Sequence, residues 1–216
     1  MVNEKINGTE LSFNNELHQK KLFSPEHVDE GTRAMLSLAE FKDGDIMLDL
    51  GCGYGAVGIY AAKTYPGISV TMCDISKEAV ETAKINAAIN GIETGDSFII
   101  TESDGFSGLK DRKFTLVLSN PPYHTDFSVA KHFIEDAYKA LEKGGRMYMV
   151  TKRLDWYRNK LTAVFGGTKV SQVNGYYVFM SQKRDKLIHI KANENHLSKK
   201  LSRKAARRGK QTIKGD

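Results

Sequence analysis

The stretch "IMLDLGCGYGAVGIYAAKTY" (Ile46–Tyr65) decides the fold. It opens with a short apolar run typical of a buried strand, Ile46–Leu50, and passes through a glycine-rich loop. It then continues into an alanine-rich helix, Ala56–Tyr65, which Pro66-Gly67 ends. A strand, a tight loop and a helix in this order predict a β-α-β unit in a parallel sheet. Open sheets of this kind bind ligands at the carboxyl ends of their strands, where glycines let the backbone approach closely.

The same alternation of strands and helices continues along the chain, with an Asn174-Gly175 pair typical of a hairpin near its end. It predicts an α/β fold: a doubly wound, mostly parallel, seven-stranded sheet with an antiparallel C-terminal hairpin. We expect three regions: an N-terminal flap 1–31, a central domain 32–185 and a basic tail 186–216. The further predicted elements are strands "ISVTMCD", "SFIIT", "KFTLVLS" and "RMYMVT", helices Ser76–Gly91, Asp126–Leu141 (closed by Gly144-Gly145) and "LDWYRNKLTAVF", and hairpin strands "TKVSQV" and "GYYVFMSQ".

The composition limits the class of protein. The 216 residues, 40% of them apolar, suit one large domain with a tail. No apolar run approaches the roughly 20 residues of a membrane span, and the polar N-terminus lacks a signal-peptide core. The two cysteines form no metal or disulfide framework. We therefore expect a cytoplasmic protein with neither a membrane partner nor a metal.

The positive charge is concentrated at the C-terminus. Residues 186–216 contain ten Lys/Arg and two acidic residues, a balance of +8, whereas the rest of the chain holds 22 and 24, a balance of −2. This asymmetry predicts a phosphate-rich or acidic partner such as a nucleic acid. The alternative is a solvated end that only aids solubility.

The glycine loop permits two interpretations. Gly53, Gly55 and Gly58 match the G-x-G-x-x-G pattern of dinucleotide-binding folds, which would indicate a dehydrogenase. The other pattern, Asp49-x-Gly51-x-Gly53-x-Gly55, resembles the loop of class I S-adenosylmethionine (SAM)-dependent methyltransferases. A carboxylate in the loop repels a pyrophosphate but favours the ammonium and sulfonium of SAM. We therefore expect SAM as cofactor.

Further acidic residues follow the next two strands. Asp74 can accept hydrogen bonds from ribose hydroxyls. The resemblance implies that Asp104 lies near the adenine amine, with Phe106 as a ring neighbour; the alternative for Asp104 is a turn or helix-cap residue. Cys52 is interpreted as a small residue between glycines. The resemblance implies that the cofactor contacts Asp49, Gly51, Gly53, Gly55, Asp74, Ile75, Asp104, Gly105 and Asn120.

The sequence "VLSNPPYH" (Val117–His124) ends the fourth strand with two prolines, which cannot continue a central strand. It resembles the Asn/Asp-Pro-Pro-Tyr motif of methyltransferases that modify planar exocyclic or amide nitrogens. We expect Asn120, Pro121, Pro122 and Tyr123 to be catalytic. The side-chain oxygen of Asn120 and the Pro121 carbonyl would accept hydrogen bonds from the amine, and Tyr123 would stack on the base. His124 is interpreted as an incidental loop residue.

The segment "FSPEHVDEGTRAML" (Phe23–Leu36) resembles the Phe-Ser-x-x-x-x-Asp-x-Gly-Thr segment of bacterial small-subunit rRNA guanine-N2 methyltransferases, the RsmC type. The likeness runs from Phe23 to Lys183 and is to the short, single-domain members. It implies a methyltransferase domain over 32–185, methyl transfer to N2 of a guanine in 16S rRNA, and a segment that helps close the cofactor pocket. The implied partner is rRNA or the 30S subunit, bound through the basic tail Lys199–Lys210, with the oligomeric state open.

Other substrates share the motif. Adenine N6 and protein glutamine N5 are poor nucleophiles for the same reason as guanine N2, because their lone pairs are also conjugated. A ribosome assembly factor with secondary catalysis is the alternative from another class. The Phe23–Leu36 segment and the basic tail favour RNA.

Overall fold

The computed structural model describes residues 1–14, 28–109, 111–122 and 127–184, and the fold refers to these residues. No helix among them has the length and apolar character needed to cross a membrane. The elements are β1 (Val2–Ile6), β2 (Thr9–Phe13), α1 (Glu30–Leu38), β3 (Ile46–Leu50), α2 (Ala56–Thr64), β4 (Ser69–Asp74), α3 (Lys77–Ile89), β5 (Phe98–Glu102), a 3-10 turn (Ser107–Leu109), β6 (Phe114–Ser119), α4 (Phe127–Ala140), β7 (Leu141–Thr151), α5 (Leu154–Phe165), β8 (Lys169–Val173) and β9 (Tyr176–Gln182).

Seven of these strands form one mixed sheet in the order β5-β4-β3-β6-β7-β9-β8. Strands β3 to β7 run parallel to one another, whereas β9 is antiparallel to β7 and β8 is antiparallel to β9. Asn174 and Gly175 in the turn between β8 and β9 both have positive φ, 49° and 78°. The predicted doubly wound sheet with a C-terminal hairpin is confirmed.

The order of the strands creates a crevice at one edge. The chain adds β4 and β5 on one side of β3 and then returns to place β6 on the other side. Asp49 in β3 pairs with Leu118 in β6, so the carboxyl ends of these strands are level. The Ser119 hydroxyl donates a hydrogen bond to the Leu50 carbonyl (2.8 Å) and ties the two ends together. A reversal of strand order of this kind is where doubly wound folds bind ligands.

The sheet buries an apolar layer on each face. Along β3, Met47 belongs to the core shared with α1, α2 and α3, while Leu48 and Leu50 belong to the core shared with α4 and α5. Successive side chains of a strand point to opposite faces. The polar Asp49 therefore lies on the α2 face, near the start of that helix.

The junction between α4 and β7 differs from the prediction. Helix α4 ends at Ala140, and β7 begins at Leu141, so the helix is not closed by Gly144-Gly145. The Gly144 N–H donates to the Lys183 carbonyl (2.8 Å), and the Lys183 N–H donates to the Gly145 carbonyl (2.9 Å). The two glycines thus lie in an irregular part of β7 that pairs with the chain after β9.

The N-terminus contains a hairpin that was not predicted. Strands β1 and β2 pair around Asn7-Gly8, both with positive φ. The side chain of Asn90, the C-cap of α3, donates to the Ser12 carbonyl (2.7 Å) and accepts from the Ser12 N–H (3.0 Å). The Asn-Gly pair between two alternating segments was a sequence signal for this hairpin. The boundaries of the three predicted regions stay predictions.

Candidate active site

A cavity of about 430 Å³ opens at the carboxyl ends of β3 and β6. Small-molecule sites commonly have volumes of about 300–1,000 Å³. The described residues that line it come from the glycine loop, the ends of four strands and the four helices α1 to α4. They include Asp29, Thr32, Asp49, Gly51, Gly53, Tyr54, Asp74, Ile75, Ser103, Asp104, Gly105, Asn120, Pro122 and Phe133.

The glycine loop is folded against the end of β4. The N–H groups of Gly51 and Cys52 both donate to the Cys73 carbonyl at 2.9 Å. Gly55 has a φ of 97°, which side-chain-bearing residues rarely adopt. A Cβ on Gly58 would lie 2.4 Å from the Met72 sulfur, so this glycine lets α2 pack closely on the sheet. The third glycine of the G-x-G-x-x-G pattern is therefore explained by packing.

Asp49 is a buried acid at the floor of the cavity. Only 2% of its surface is exposed, and one carboxylate oxygen accepts a hydrogen bond from the Gly58 N–H (3.0 Å). Burial raises the pKa of Asp49 to about 7; the Gly58 hydrogen bond opposes this shift and the nearby charge of Asp74 adds to it. The charged form is costly here, and a cation in the cavity would stabilise it.

Asp74 is held in place by two backbone groups. Its oxygens accept hydrogen bonds from the N–H of Gly53 and the N–H of Ser76, both at 2.9 Å. It therefore joins the glycine loop to the start of α3 while lining the cavity. Ile75, its neighbour, lines the same cavity although 67% of its surface is exposed. A carboxylate beside an exposed apolar side chain can accept from hydroxyls while the apolar surface contacts a ring.

The third acidic position also reaches the cavity. Asp104 and Gly105 line it, whereas Phe106 is not among the lining residues and packs on Phe114 (ring centroids 6.4 Å apart). The ring at this position is instead Phe133 of α4. A Cβ on Gly51 or Gly105 would lie 3.5 or 3.6 Å from the Phe133 ring. The sequence did not indicate Phe133 as a site residue, because it is only one apolar position within a predicted helix.

Asn120 follows β6 directly and faces the start of α1. Its side-chain nitrogen donates to an Asp29 carboxylate oxygen (2.9 Å) and to the Thr32 hydroxyl (3.0 Å). The same Asp29 oxygen accepts from the Thr32 N–H (3.2 Å) and caps α1. Asp29 and Thr32 belong to the segment interpreted as closing the pocket, but neither was predicted individually as a site residue.

The cavity brings most of the predicted residues together. Those that line it are Asp49, Gly51, Gly53, Asp74, Ile75, Asp104, Gly105, Asn120 and Pro122. Gly55 and Pro121 are not among the lining residues; Gly55 instead precedes the first residue of α2. Tyr123, His124 and the tail lie outside the described residues. Tyr54 was missed by sequence reasoning because nothing distinguishes it from other residues between the glycines.

The residues present fit SAM. Asp49 matches its positive charge, and Asp74 and Asp104 offer acceptors for hydroxyl and amine groups. A dinucleotide pyrophosphate would instead meet Asp49 and Asp74 at the glycine loop, where like charges repel. Burial raises the pKa of Cys73 to about 12 and that of Cys52 far above its usual value, which disfavours the nucleophilic thiolate form of both residues. Together, sheet order and cavity define the class I methyltransferase architecture.

Comparison with known proteins gives the family. The model of the family described as "Methyltransferase small domain" matches residues 14–180, and the chain belongs to this family, whose cofactor is S-adenosylmethionine. It is 31% identical over 185 residues to ribosomal RNA large subunit methyltransferase G of Pseudoalteromonas translucida (strain TAC 125), covering 83% of this chain and 48% of that protein. It is 32% identical over 180 residues to ribosomal RNA small subunit methyltransferase C of Psychromonas ingrahamii, covering 82% and 49%.

A solved structure agrees with these relatives. The T. thermophilus 16S rRNA N2 G1207 methyltransferase (RsmC), in complex with AdoMet and guanosine, superposes with a TM-score of 0.76 at 26% identity, over 85% of this chain and 50% of that one. The chain spans about half the length of the curated relatives it matches. The expected resemblance to the RsmC-type family and to class I methyltransferases is confirmed.

Proposed function

We propose that the protein transfers a methyl group from SAM to the exocyclic N2 of a guanine in 16S rRNA. The observation that carries the proposal is the position of Asn120, whose side chain lines the cavity that also contains Asp49 and Asp74. Support comes from the T. thermophilus relative, which is named for N2 of G1207 and was solved with guanosine. The small-subunit relatives point to the same substrate class.

The reaction needs acceptors for an amine that becomes positively charged. SAM, when bound, would supply an electrophilic methyl group on its sulfonium. As the nitrogen takes this methyl group, the C–S bond would break, S-adenosylhomocysteine would leave, and the methylated nitrogen would lose a proton to water. The exocyclic nitrogen is a poor nucleophile because its lone pair is conjugated with the ring. Asn120 Oδ1 and the Pro121 carbonyl accept the two amine hydrogens, which stabilises the charge as it develops. The fixed φ of Pro121 and Pro122 limits reorganisation. Stacking of the base on Tyr123 stays a prediction.

The cofactor would be held by the acidic residues and the glycine loop. Asp49 would bind its cationic groups, Asp74 would accept hydrogen bonds from its hydroxyls, and Asp104 would accept from the adenine amine. Phe133 and Ile75 offer apolar surface on the same cavity. Gly51, Gly53 and Gly105 leave room beside these groups, while Gly55 shapes the loop as it enters α2.

Exposed cations beside the site suit an RNA strand. Lys152 and Arg153 follow β7, the strand next to β6, and both are exposed. The Lys152 ammonium lies 4.7 Å from the centroid of the Tyr176 ring, and the Arg153 guanidinium 5.0 Å from that of Phe127. Phe127 in turn stacks on Trp156 (4.3 Å). Cations and aromatic rings on one edge are the groups that contact phosphates and bases.

The basic tail is a second proposed RNA contact, and it lies outside the described residues. We expect deletion of Lys199–Asp216 to weaken RNA binding and to flatten its salt dependence, because fewer counterions would be released. Binding that is unchanged at low salt would contradict this role. An unrelated acidic polymer serves as control for charge alone.

The test of function is a substrate screen with labelled SAM. Separated 16S RNA, large-subunit rRNA, tRNA, 30S subunits and protein extract are each incubated with the protein, digested, and the methylated residue identified. We expect N2-methylguanosine in 16S RNA or the 30S subunit. Label in N6-methyladenosine or glutamine would overturn the substrate while leaving methyl transfer intact.

One competing rRNA substrate has a specific observation behind it. A 31% identical relative is named as a large-subunit methyltransferase, so label in large-subunit rRNA would assign the chain to that substrate. Asn120→Ala separates enzyme from assembly factor. An enzyme loses about 100- to 1,000-fold in kcat while still binding RNA, whereas an assembly factor carrying this variant still supports subunit maturation.

A further inference from the structure

We propose that Asp29 is a positioning residue that makes Asn120, and not aspartate, the side chain required at that position. This inference rests on the proposed methyl transfer. The Asn/Asp-Pro-Pro-Tyr motif that this sequence resembles has asparagine or aspartate at its first position. The presence of asparagine at position 120 therefore calls for a local cause. The cause we infer is the contact between the Asn120 amide and the Asp29 carboxylate, which are 2.9 Å apart on the cavity wall.

The contact fixes which way the Asn120 amide is turned. A carboxylate can only accept hydrogen bonds, so the group that faces Asp29 has to be the amide nitrogen. The second hydrogen of this nitrogen goes to the Thr32 hydroxyl (3.0 Å). With both hydrogens donated to α1, Oδ1 lies on the other branch of the planar amide. The acceptor that methyl transfer needs is therefore preset.

Asp29 is itself held in place by the start of α1. The oxygen that accepts from Asn120 also accepts from the Thr32 N–H (3.2 Å) as the helix N-cap. A carboxylate is stabilised at a helix N-terminus, where the backbone N–H groups point outward. The start of α1 thus fixes the orientation of Asn120 at the end of β6, although Asp29 and Asn120 are 91 positions apart in the sequence.

An aspartate at position 120 would not fit this arrangement. Its carboxylate would face that of Asp29 at the same distance, with no hydrogen to share. Like charges in close contact either repel or force one group to take up a proton. The side chain would turn away, and the acceptor would leave its position. Displacements of about 1 Å at a reacting group can cost on the order of 100-fold in rate.

A reciprocal exchange tests the pair. We expect Asn120→Asp to lower kcat about 100-fold and to lower the melting temperature of the free protein. We expect Asp29→Asn to lower kcat less, because an asparagine can still cap α1 but no longer fixes the amide. In the double variant, the amide introduced at position 29 can donate to the carboxylate introduced at position 120. We expect it to regain at least tenfold in kcat over Asn120→Asp, and to regain the melting temperature.

Two further measurements separate positioning from folding. The Kd for SAM is measured by calorimetry for each variant, and kcat is then determined at saturating SAM, so that a change in cofactor binding is kept apart from the expected loss in kcat. Ser37→Gly, at an exposed position of α1, weakens the helix without touching Asn120 and should leave kcat unchanged. Thr32→Val removes only the second acceptor and should lower kcat several-fold.

The outcomes distinguish this inference from the proposed function. A wild-type protein that methylates none of the substrates would overturn the proposed function. An active wild type whose double variant stays as low as Asn120→Asp, in both kcat and melting temperature, would overturn the positioning role of Asp29. So would an Asn120→Asp single variant with wild-type kcat.

Discussion

The two ends of the central strand β3 each carry a buried aspartate, and the two are used differently. Asp45 precedes the strand and is 5% exposed, while Asp49 lies near its carboxyl end and is 2% exposed. Both are flanked by the same two neighbouring strands, β4 and β6. Their hydrogen-bond and charge partners differ.

Asp45 is fully engaged with the protein. Arg146 Nη2 donates to both of its oxygens (2.8 and 2.6 Å), the Thr115 hydroxyl donates to one (2.6 Å), and the Lys42 N–H donates to the other (2.8 Å). The pair links β7 to the start of β3 and has a buried polar environment. A buried carboxylate with a cation and several donors is a structural group.

Asp49 has far less support from the chain. It accepts one N–H from Gly58 and, within residues 1–14, 28–109, 111–122 and 127–184, forms no ion pair. Burial raises its pKa to about 7. The charged form of Asp49 is therefore destabilised in the free protein, and a cationic ligand would reduce the free-energy cost of burying this charge. We therefore propose that the same residue type serves the fold at one end of β3 and the ligand at the other.

The largest expected effect concerns stability at the amino end. Arg146→Met leaves Asp45 buried without its cation, and we expect the free energy of unfolding to fall by about 3–5 kcal/mol. Denaturant unfolding checks this value. Because the site lies at the opposite edge, the Kd for SAM should remain within about twofold of the wild type.

The control for Arg146→Met is the double variant with Asp45→Asn, which should recover part of the stability because the unpaired charge is also removed. If Arg146→Met weakened SAM binding as strongly as folding, the two ends of β3 would not be independent, and the comparison would fail.

At the carboxyl end of β3, Asp49→Asn should raise the stability of the free protein, whereas Arg146→Met lowers it. Asn removes a buried charge but can still accept from the Gly58 N–H. We expect the Kd for SAM to rise about 10- to 100-fold, since hydrogen bonds to charged groups contribute about 1.5–3 kcal/mol. The melting temperature of the free protein at pH 8 should rise. A variant that loses stability as well as affinity would show that Asp49 is mainly structural.

The pH dependence follows from the raised pKa of Asp49. Between the usual value of 3.8 and about 7, the folded protein binds a proton that the unfolded chain has released. The stability that Asp49 contributes is thus fully present below 3.8 and is lost as the pH rises through about 7. The gain in melting temperature from Asp49→Asn should therefore be larger at pH 8 than at pH 5.

Binding of SAM should show the reverse trend. A protonated Asp49 has to lose its proton when a cation binds, so the Kd should rise by up to about tenfold per pH unit below pH 7. Calorimetry in buffers of different ionisation enthalpy measures the proton released. In Asp49→Asn this release should disappear; equal proton release in the variant would assign the titration to another group.

The fold and half of the site were readable from the sequence for a physical reason. Strand ends, glycines and acids are local signals, and parallel strands bring their carboxyl ends to one edge, which places Asp49, Asp74, Asp104 and Asn120 together. The contact of Asp29 with Asn120 joins residues 91 positions apart and has no periodic signal. Phe133 lines the cavity only because α4 packs across the glycines. The pairing of Asp45 with Arg146, 101 positions apart, is similarly a product of strand order.

The smallest expected effect lies just outside the cavity. Lys152→Glu should raise the KM for RNA a few-fold with little change in kcat, and should reduce the slope of log K against log salt by about one, because one phosphate contact is lost. Lys84→Glu makes the same change of charge within α3, away from the carboxyl ends of the strands. The KM of this variant for RNA should therefore stay near that of the wild type. Equal effects of the two variants would mean that the RNA responds only to net charge. In that case Lys152 would make no specific RNA contact, and the functional role of the carboxyl ends of the strands would be limited to Asp49 and the cavity.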